Sequence, residues 1–223
     1  MHTKKLKNQN FILRTAILAD VEQMAVLQKI CFPTLSQDEL LTKEHYANHI
    51  RIFPEGQLVI ENQGEIIASS GTFRIHFPKI QHTFMELTDN LWITNAHMND
   101  GEWLYQFDIG ILPEYRGLGL SGEIYQTQQE LVKDWGMQGQ ILVGMTIGYA
   151  NYKDQFTIQE YCEKLRNQEL TDPTVTPQQK AGFQWIKPLF NYLEDLTAGN
   201  CGIFMVWPLD EVDLKEYINT LNL

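Results

Sequence analysis

Asp108-Ile109-Gly110-Ile111-Leu112-Pro113-Glu114-Tyr115-Arg116-Gly117-Leu118-Gly119-Leu120-Ser121-Gly122 is the stretch on which the fold turns. Before it, Trp103 to Ile111 is aromatic and β-branched, which predicts a half-buried strand. After it, Leu120, Ile124, Leu131 and Trp135 recur at helical spacing among polar residues. The linker is therefore a strand-to-helix loop. Its glycines let a ligand approach bare backbone, and the amides that open the helix have no intrahelical partner. Free N–H groups and the positive end of the helix dipole together favour a phosphate, and Arg116 adds a full charge.

A helix start with glycines chosen only for the turn would look similar. Gly117, Gly119 and Gly122 also satisfy G-x-G-x-x-G. A dinucleotide fold, however, wants an acidic residue at the end of the next strand, and Ile141 to Thr146 carries none. A Walker loop is excluded because no Gly-Lys-Ser/Thr follows.

The phrase Ile111-Leu112-Pro113-Glu114-Tyr115-Arg116-Gly117-Leu118-Gly119-Leu120-Ser121 resembles the acyl-CoA-binding segment of the GNAT family of N-acetyltransferases, with Ser121 where that family usually has Gly or Ala. The resemblance runs over roughly Phe11 to Pro208. Glu169 to Pro173 and Lys180 to Leu193 look like the GNAT subgroup associated with nitrilase-type carbon-nitrogen hydrolases. It implies an α/β (α+β) fold: a single GNAT-like domain with a mixed, mostly antiparallel sheet of six to seven strands flanked by helices. Residues 1–10 would be a tail, 11–208 the acyltransferase domain, and 209–223 a closing amphipathic helix carrying Leu214, Tyr217, Ile218 and Leu221.

The implied activity is transfer of an acetyl group from acetyl-CoA to a primary amine of a small molecule by direct attack. The alternative is a non-catalytic acyl-CoA sensor or assembly module. On the family pattern, the backbone of Ile109 and Ile111 pairs with the pantetheine arm, while Arg116, Gly117, Leu118, Gly119, Ser121 and Gly122 hold the pyrophosphate. Glu102, Gln106 and Asp108 alternate with Trp103, Tyr105 and Phe107 at period two, and Asp108, next to the reacting segment, is the first choice of base. The resemblance points to a tyrosine beyond the following strand as the acid; Tyr149, Tyr152 and Tyr161 are eligible, and Tyr149 is preferred for its Gly-Tyr context.

The rest of the chain agrees with one domain. Its 223 residues, 43% hydrophobic, can bury an ordinary core. The net charge of −11 argues against nucleic acid or anionic membrane as a partner and suits a small-molecule amine. Cys31, Cys162 and Cys201 are odd in number and far apart in sequence, which suggests neither a disulfide framework nor a metal site. No apolar run approaches a membrane span and Met1 to Asn10 lacks a signal core, so a cytoplasmic protein is expected. The oligomeric state is open, a homodimer included.

Phe11 to Ala16 reads as a first strand, and Asp20 with Gln23 as a capping box for a helix. Ser36 with Glu39 signals a second helix through His49. Gln57 to Glu61 and Glu65 to Phe77 form a hairpin across Asn62-Gln63-Gly64. His45 and His49 stand one turn apart, more simply a helix face than a metal pair, and no metal is expected. Pro78 to Gly101 is irregular, serving as an acceptor-recognition segment or a packing flap. Strands at Ile141 to Ile147, Gly182 to Ile186 and Cys201 to Trp207, with a helix over Thr157 to Leu165 ended by Asp172-Pro173 and Thr176-Pro177, complete the pattern.

Overall fold

The computed structural model describes residues 2–6, 11–77 and 83–210. The closing helix expected over 209–223 lies almost wholly outside them. One sheet organises the chain. Its strands are β1 (Thr3–Lys5), β2 (Phe11–Thr15), β3 (Gln57–Asn62), β4 (Glu65–Ile75), β5 (Trp103–Ile111), β6 (Gly139–Met145), β7 (Gln184–Phe190) and β8 (Cys201–Pro208). They form an eight-stranded sheet in the order β1-β2-β3-β4-β5-β6-β8-β7. The expected six to seven strands fall short by β1, a short edge strand inside the stretch read as a tail; it pairs Thr3–Lys5 with Arg14–Ile12.

Every neighbouring pair is antiparallel except β5 and β6. A parallel pair needs a crossover, and α4 (Leu120–Asp134) supplies it after the glycine-rich turn. This mostly antiparallel arrangement is not the doubly wound sheet of a dinucleotide fold. On α4, Leu120, Ile124, Gln128 and Val132 face inward at four-residue spacing. Pro188 is tolerated in β7 because that strand is a sheet edge.

Several local signals resolve differently in three dimensions. Asp20 stands before α1 (Val21–Cys31), but its carboxylate does not cap the helix. It accepts the Ile17 N–H at 2.8 Å and two Arg14 nitrogens at 2.7 and 2.9 Å, a bidentate charged pair stronger than a cap bond. Gln23 accepts the Ile66 N–H at 3.0 Å, tying α1 to the β3–β4 hairpin. Ser36 and Glu39 do form a reciprocal box, but only around a 3-10 turn at Gln37–Glu39; α2 (Lys43–Ile52) starts later, where the Thr42 hydroxyl accepts the His45 N–H. Pro177, read as a breaker, sits in the first turn of α6 (Val175–Lys180), where its missing N–H costs nothing. It follows α5 (Ile158–Arg166).

The irregular stretch before β5 includes α3 (Phe84–Leu87) and packs on α2. Leu91 and Ile93 are fully buried, the His49 ring bonds the Leu91 carbonyl at 2.6 Å, and Asn48 donates to the Trp92 carbonyl at 2.7 Å. His45 packs edge-on against Trp92, so the two histidines clamp this segment. Burial holds the His49 pKa down at about 4, keeping the ring neutral. Among the described residues no group of three or more His, Cys, Asp or Glu is placed to hold a metal, and no helix is long and apolar enough to cross a membrane. All the cysteines are free, although folding brings the Cys162 and Cys201 sulfurs to 3.7 Å.

Candidate active site

A wedge opens between the parallel strands. β5 pairs with β6 from Trp103↔Gly139 to Gln106↔Leu142 and then stops. β5 continues along β4 to Ile111↔Ala68, and β6 along β8 to Met145↔Gly202. From Phe107 onward, β5 therefore has no strand partner on its β6-facing edge.

The cause is a β-bulge. Gly71 pairs with Asp108 and Thr72 with Gln106, leaving Phe107 as an extra residue on β5. A bulged strand bends and twists away from its neighbour. Glycine at position 71 leaves room for the extra residue, because a Cβ there would stand 2.6 Å from the Phe107 ring and force it to shift. A chain of buried side chains pins the bend: Gln140 donates to Gln128 at 2.7 Å, Gln128 to Ser70 at 2.9 Å, and Ser70 to the Asp108 carbonyl at 2.8 Å.

The bulge also changes which side chains share a face. Strict alternation would put Gln106 and Asp108 together. Instead Gln106 turns toward α4, reached by Gln140, while Phe107 contacts His49 of α2 and Asp108 meets Tyr46 of α2. Asp108 is 6% exposed, and burial raises its carboxyl from 3.8 to about 7, opposed by hydrogen bonding with Tyr46 and Gln28. Tyr46 stands 3.4 Å from that carboxylate and donates to Gln28 at 2.9 Å. A carboxylate poised near neutrality in a cleft is suited to proton transfer.

Beyond β5, Gly117 and Gly119 adopt φ of 78° and 79°, in the left-handed region. Gly119 is the residue before α4, with no side-chain cap. Among the described residues, none of the backbone N–H groups from Gly117 to Gly122 donates to a carbonyl or side chain. A Cβ at Gly117, Gly119 or Gly122 would meet nothing within 4 Å, so the space before these amides is open. Arg116 Nε donates to the Ile111 carbonyl at 3.0 Å, bracing the turn.

Wedge and turn belong to one cleft of about 810 Å³. Asp108, Ile109, Ile111, Arg116, Gly117, Gly119 and Ser121 line it; Leu118 and Gly122 face solvent beside it. Its charges are segregated. Arg116 and Lys180 stand on the side of the turn and α6, whereas Asp108, Glu39 and Asp195 belong to the side of α1, α2 and the β7–β8 loop.

Tyr149 is not brought to this lining. Its hydroxyl donates to the Phe156 carbonyl at 3.2 Å, and its ring packs against Gly199. The cleft does hold other tyrosines that sequence reasoning passed over, among them Tyr105 and Tyr192, whose hydroxyls are hydrogen-bonded and whose burial pushes both phenols well above their ordinary range. Nor did any sequence signal mark Tyr46 and Gln28 as neighbours of Asp108. Their contacts join residues 62 apart for Tyr46 and Asp108 and 18 apart for Tyr46 and Gln28.

No family model matches the chain. A curated relative from Bacillus subtilis (strain 168), Uncharacterized N-acetyltransferase YkwB, is 32% identical over 204 residues, covering 90% of this chain and 90% of that protein. Probable hydrolase YhcX from the same strain is 31% identical over 192 residues, which are 85% of this chain but only 37% of YhcX, so the chain spans little more than a third of that relative. Among solved structures, the GphF GNAT-like decarboxylase in complex with isobutyryl-CoA matches at a TM-score of 0.71 and 16% identity, covering 89% of this chain and 99% of that one. At that identity the likeness speaks for the fold alone. With the nearly full-length similarity to YkwB and the splayed sheet beside an open glycine turn, the chain belongs to the GNAT family of N-acetyltransferases.

Proposed function

We propose that this chain transfers an acetyl group from acetyl-CoA directly to the primary amine of a small molecule. One observation carries the reading: a single cleft joins a turn of unengaged amides to a buried aspartate, past the unpaired edge of β5. The diphosphate would accept from the amides of Gly117 to Gly122 at the positive end of α4, with Arg116 and Lys180 nearby. The pantetheine arm would lie along Ile109 and Ile111 as an added strand, and an N–H there would stabilise the oxyanion as it forms. Asp108 takes the proton from the attacking nitrogen. The new C–N bond then displaces the C–S bond, and the second proton of the cationic nitrogen leaves with the sulfur as free thiol. The acidic side of the cleft supports a cationic acceptor.

Tyr149, the acid expected from the family pattern, gains no support from its position. Tyr149→Phe is expected to keep kcat within about twofold of wild type in a thiol-release assay; a hundredfold loss would restore the role.

Release of free thiol from acetyl-CoA across a panel of amines tests the whole proposal. Amine-dependent release with a matching acetylated product is the expected result. Calorimetric binding of acetyl-CoA without turnover on every amine would favour the sensor alternative, for which a buried base near pH 7 has no use.

A further inference from the structure

The inward row of α4 is apolar at Leu120, Ile124 and Val132 but carries Gln128 beside the bulge. This side chain belongs to a relay whose donors all run one way: Gln140 Nε2 to Gln128 Oε1 at 2.7 Å, Gln128 Nε2 to Ser70 Oγ at 2.9 Å, and Ser70 Oγ to the Asp108 carbonyl at 2.8 Å. Ser70, Gln128 and Gln140 are all buried, and among the described residues the Gln140 side-chain oxygen has no hydrogen-bond partner. For stability alone, aliphatic side chains of similar size would fill this layer better than a polar chain with one unsatisfied end. A departure of that kind marks a place where something besides stability is served.

What the relay holds is one peptide unit. The Asp108 carbonyl and the Ile109 N–H belong to the same planar trans amide and point in opposite directions. The Leu112 N–H donates to the Ile67 carbonyl at 3.0 Å, continuing the register that sets Ile111 against Ala68 and Gly110 against Ser69. Alternate residues of an antiparallel strand bond to the same neighbour, so Leu112 and Gly110 turn their backbone groups to β4, whereas Ile109 and Ile111 turn theirs to the β6 side. On that side β5 has no strand partner. Fixing the Asp108 carbonyl therefore sets the angle at which the Ile109 N–H enters the wedge. It also strengthens that donor, because a hydrogen bond to an amide oxygen draws electron density from the amide nitrogen, and aligned bonds reinforce one another.

We propose that the relay aims and polarises the Ile109 N–H at the thioester oxygen on which negative charge develops, which makes Ser70 and Gln128 positioning residues for the transfer. This rests on the acetyl-transfer reading above and deepens it. As the amine nitrogen bonds to the carbonyl carbon, an electron pair of the C=O bond moves onto oxygen. A well-directed donor there stabilises that charge more than it tightens binding of the uncharged thioester. Losing the relay should therefore cost kcat and spare donor affinity.

The test uses the amine that gives the fastest thiol release, with acetyl-CoA affinity read by calorimetry. Ser70→Ala is expected to lower kcat about tenfold and to leave that affinity within about twofold. It also strands the Gln128 N–H, so its melting temperature should fall. Adding Gln128→Leu removes the stranded group: the double variant should regain stability while its kcat stays as low as that of Ser70→Ala. In infrared spectra of bound, isotope-labelled acetyl-CoA, the thioester carbonyl stretch should lie lower in the wild type than in either variant. A kcat that returns together with stability in the double variant would assign the relay to packing and overturn the inference. Unchanged kcat in both variants, a loss confined to KM, or one carbonyl frequency in all three proteins would overturn it as well. Each of these leaves amine transfer standing, whereas a wild type that binds acetyl-CoA and acetylates no amine overturns both.

Discussion

Gly119→Glu is expected to weaken acetyl-CoA binding by at least a hundredfold while the protein still folds. At φ 79°, any side chain at this position is strained, at a cost on the order of 1–2 kcal/mol. The Cβ itself has room, so no core contact is lost. What changes is the electrostatics of the turn. A carboxylate at residue 119 stands among the N–H groups of Gly117 to Gly122, engages them itself, and repels the diphosphate they would otherwise hold. A hundredfold loss is about 2.7 kcal/mol, a moderate share of what an anchored diphosphate contributes. Gly119→Ala separates strain from charge, since it carries the same φ penalty without the carboxylate; its loss should stay below tenfold. Titration calorimetry with CoA, beside thermal melts of all three proteins, makes the comparison. Near-normal affinity in a folded Gly119→Glu protein would mean that the donor binds elsewhere.

The second large effect concerns Asp108, where activity and stability should move in opposite directions. A carboxyl whose folded pKa is raised to about 7 binds its proton more tightly in the fold than in the open chain, where 3.8 is ordinary. Folding stability from this group is thus fullest below pH 3.8, falls as pH rises toward 7, and levels off above. Asp108→Asn abolishes that dependence. At pH 8 the variant should be more stable than wild type by on the order of 2–4 kcal/mol, and near pH 4 the two should be similar. Turnover should move the other way, falling about a hundredfold as general-base assistance is lost. Wild-type kcat should climb with pH and flatten above about 7, since the ionised carboxylate is the active form, while the residual rate of the variant should lack that inflection. Urea melts at the two pH values and a kcat–pH profile read both effects. A variant with wild-type rates across pH would remove Asp108 from the chemistry.

How much of this was legible beforehand depended on the range of the interactions. The turn from Pro113 to Gly122 was readable because its information is local: glycines for left-handed backbone, an aromatic strand before it, an amphipathic helix after it. The β3–β4 hairpin and α5 were readable for the same reason, through Asn62-Gln63-Gly64 and the apolar spacing of Ile158, Tyr161 and Leu165. Local signals misled where a distant partner offered more. Asp20 went to Arg14, Gln23 to the Ile66 amide, and Ser36 with Glu39 closed only a 3-10 turn.

From the linear chain alone come the strand-turn-helix with its row of open amides, the family resemblance it carries, and the approximate succession of elements, since backbone conformation over a few residues answers to side chains in that same interval. The tertiary structure alone decides the register of β4 against β5, and with it the extra residue at Phe107, the wedge beside β6, and the turning of Asp108 away from Gln106 and toward Tyr46. Period-two alternation is a property of one strand, whereas a bulge is a mismatch between two strands, here Gly71 against Phe107 and Asp108. No pattern within either segment can show it before they pair.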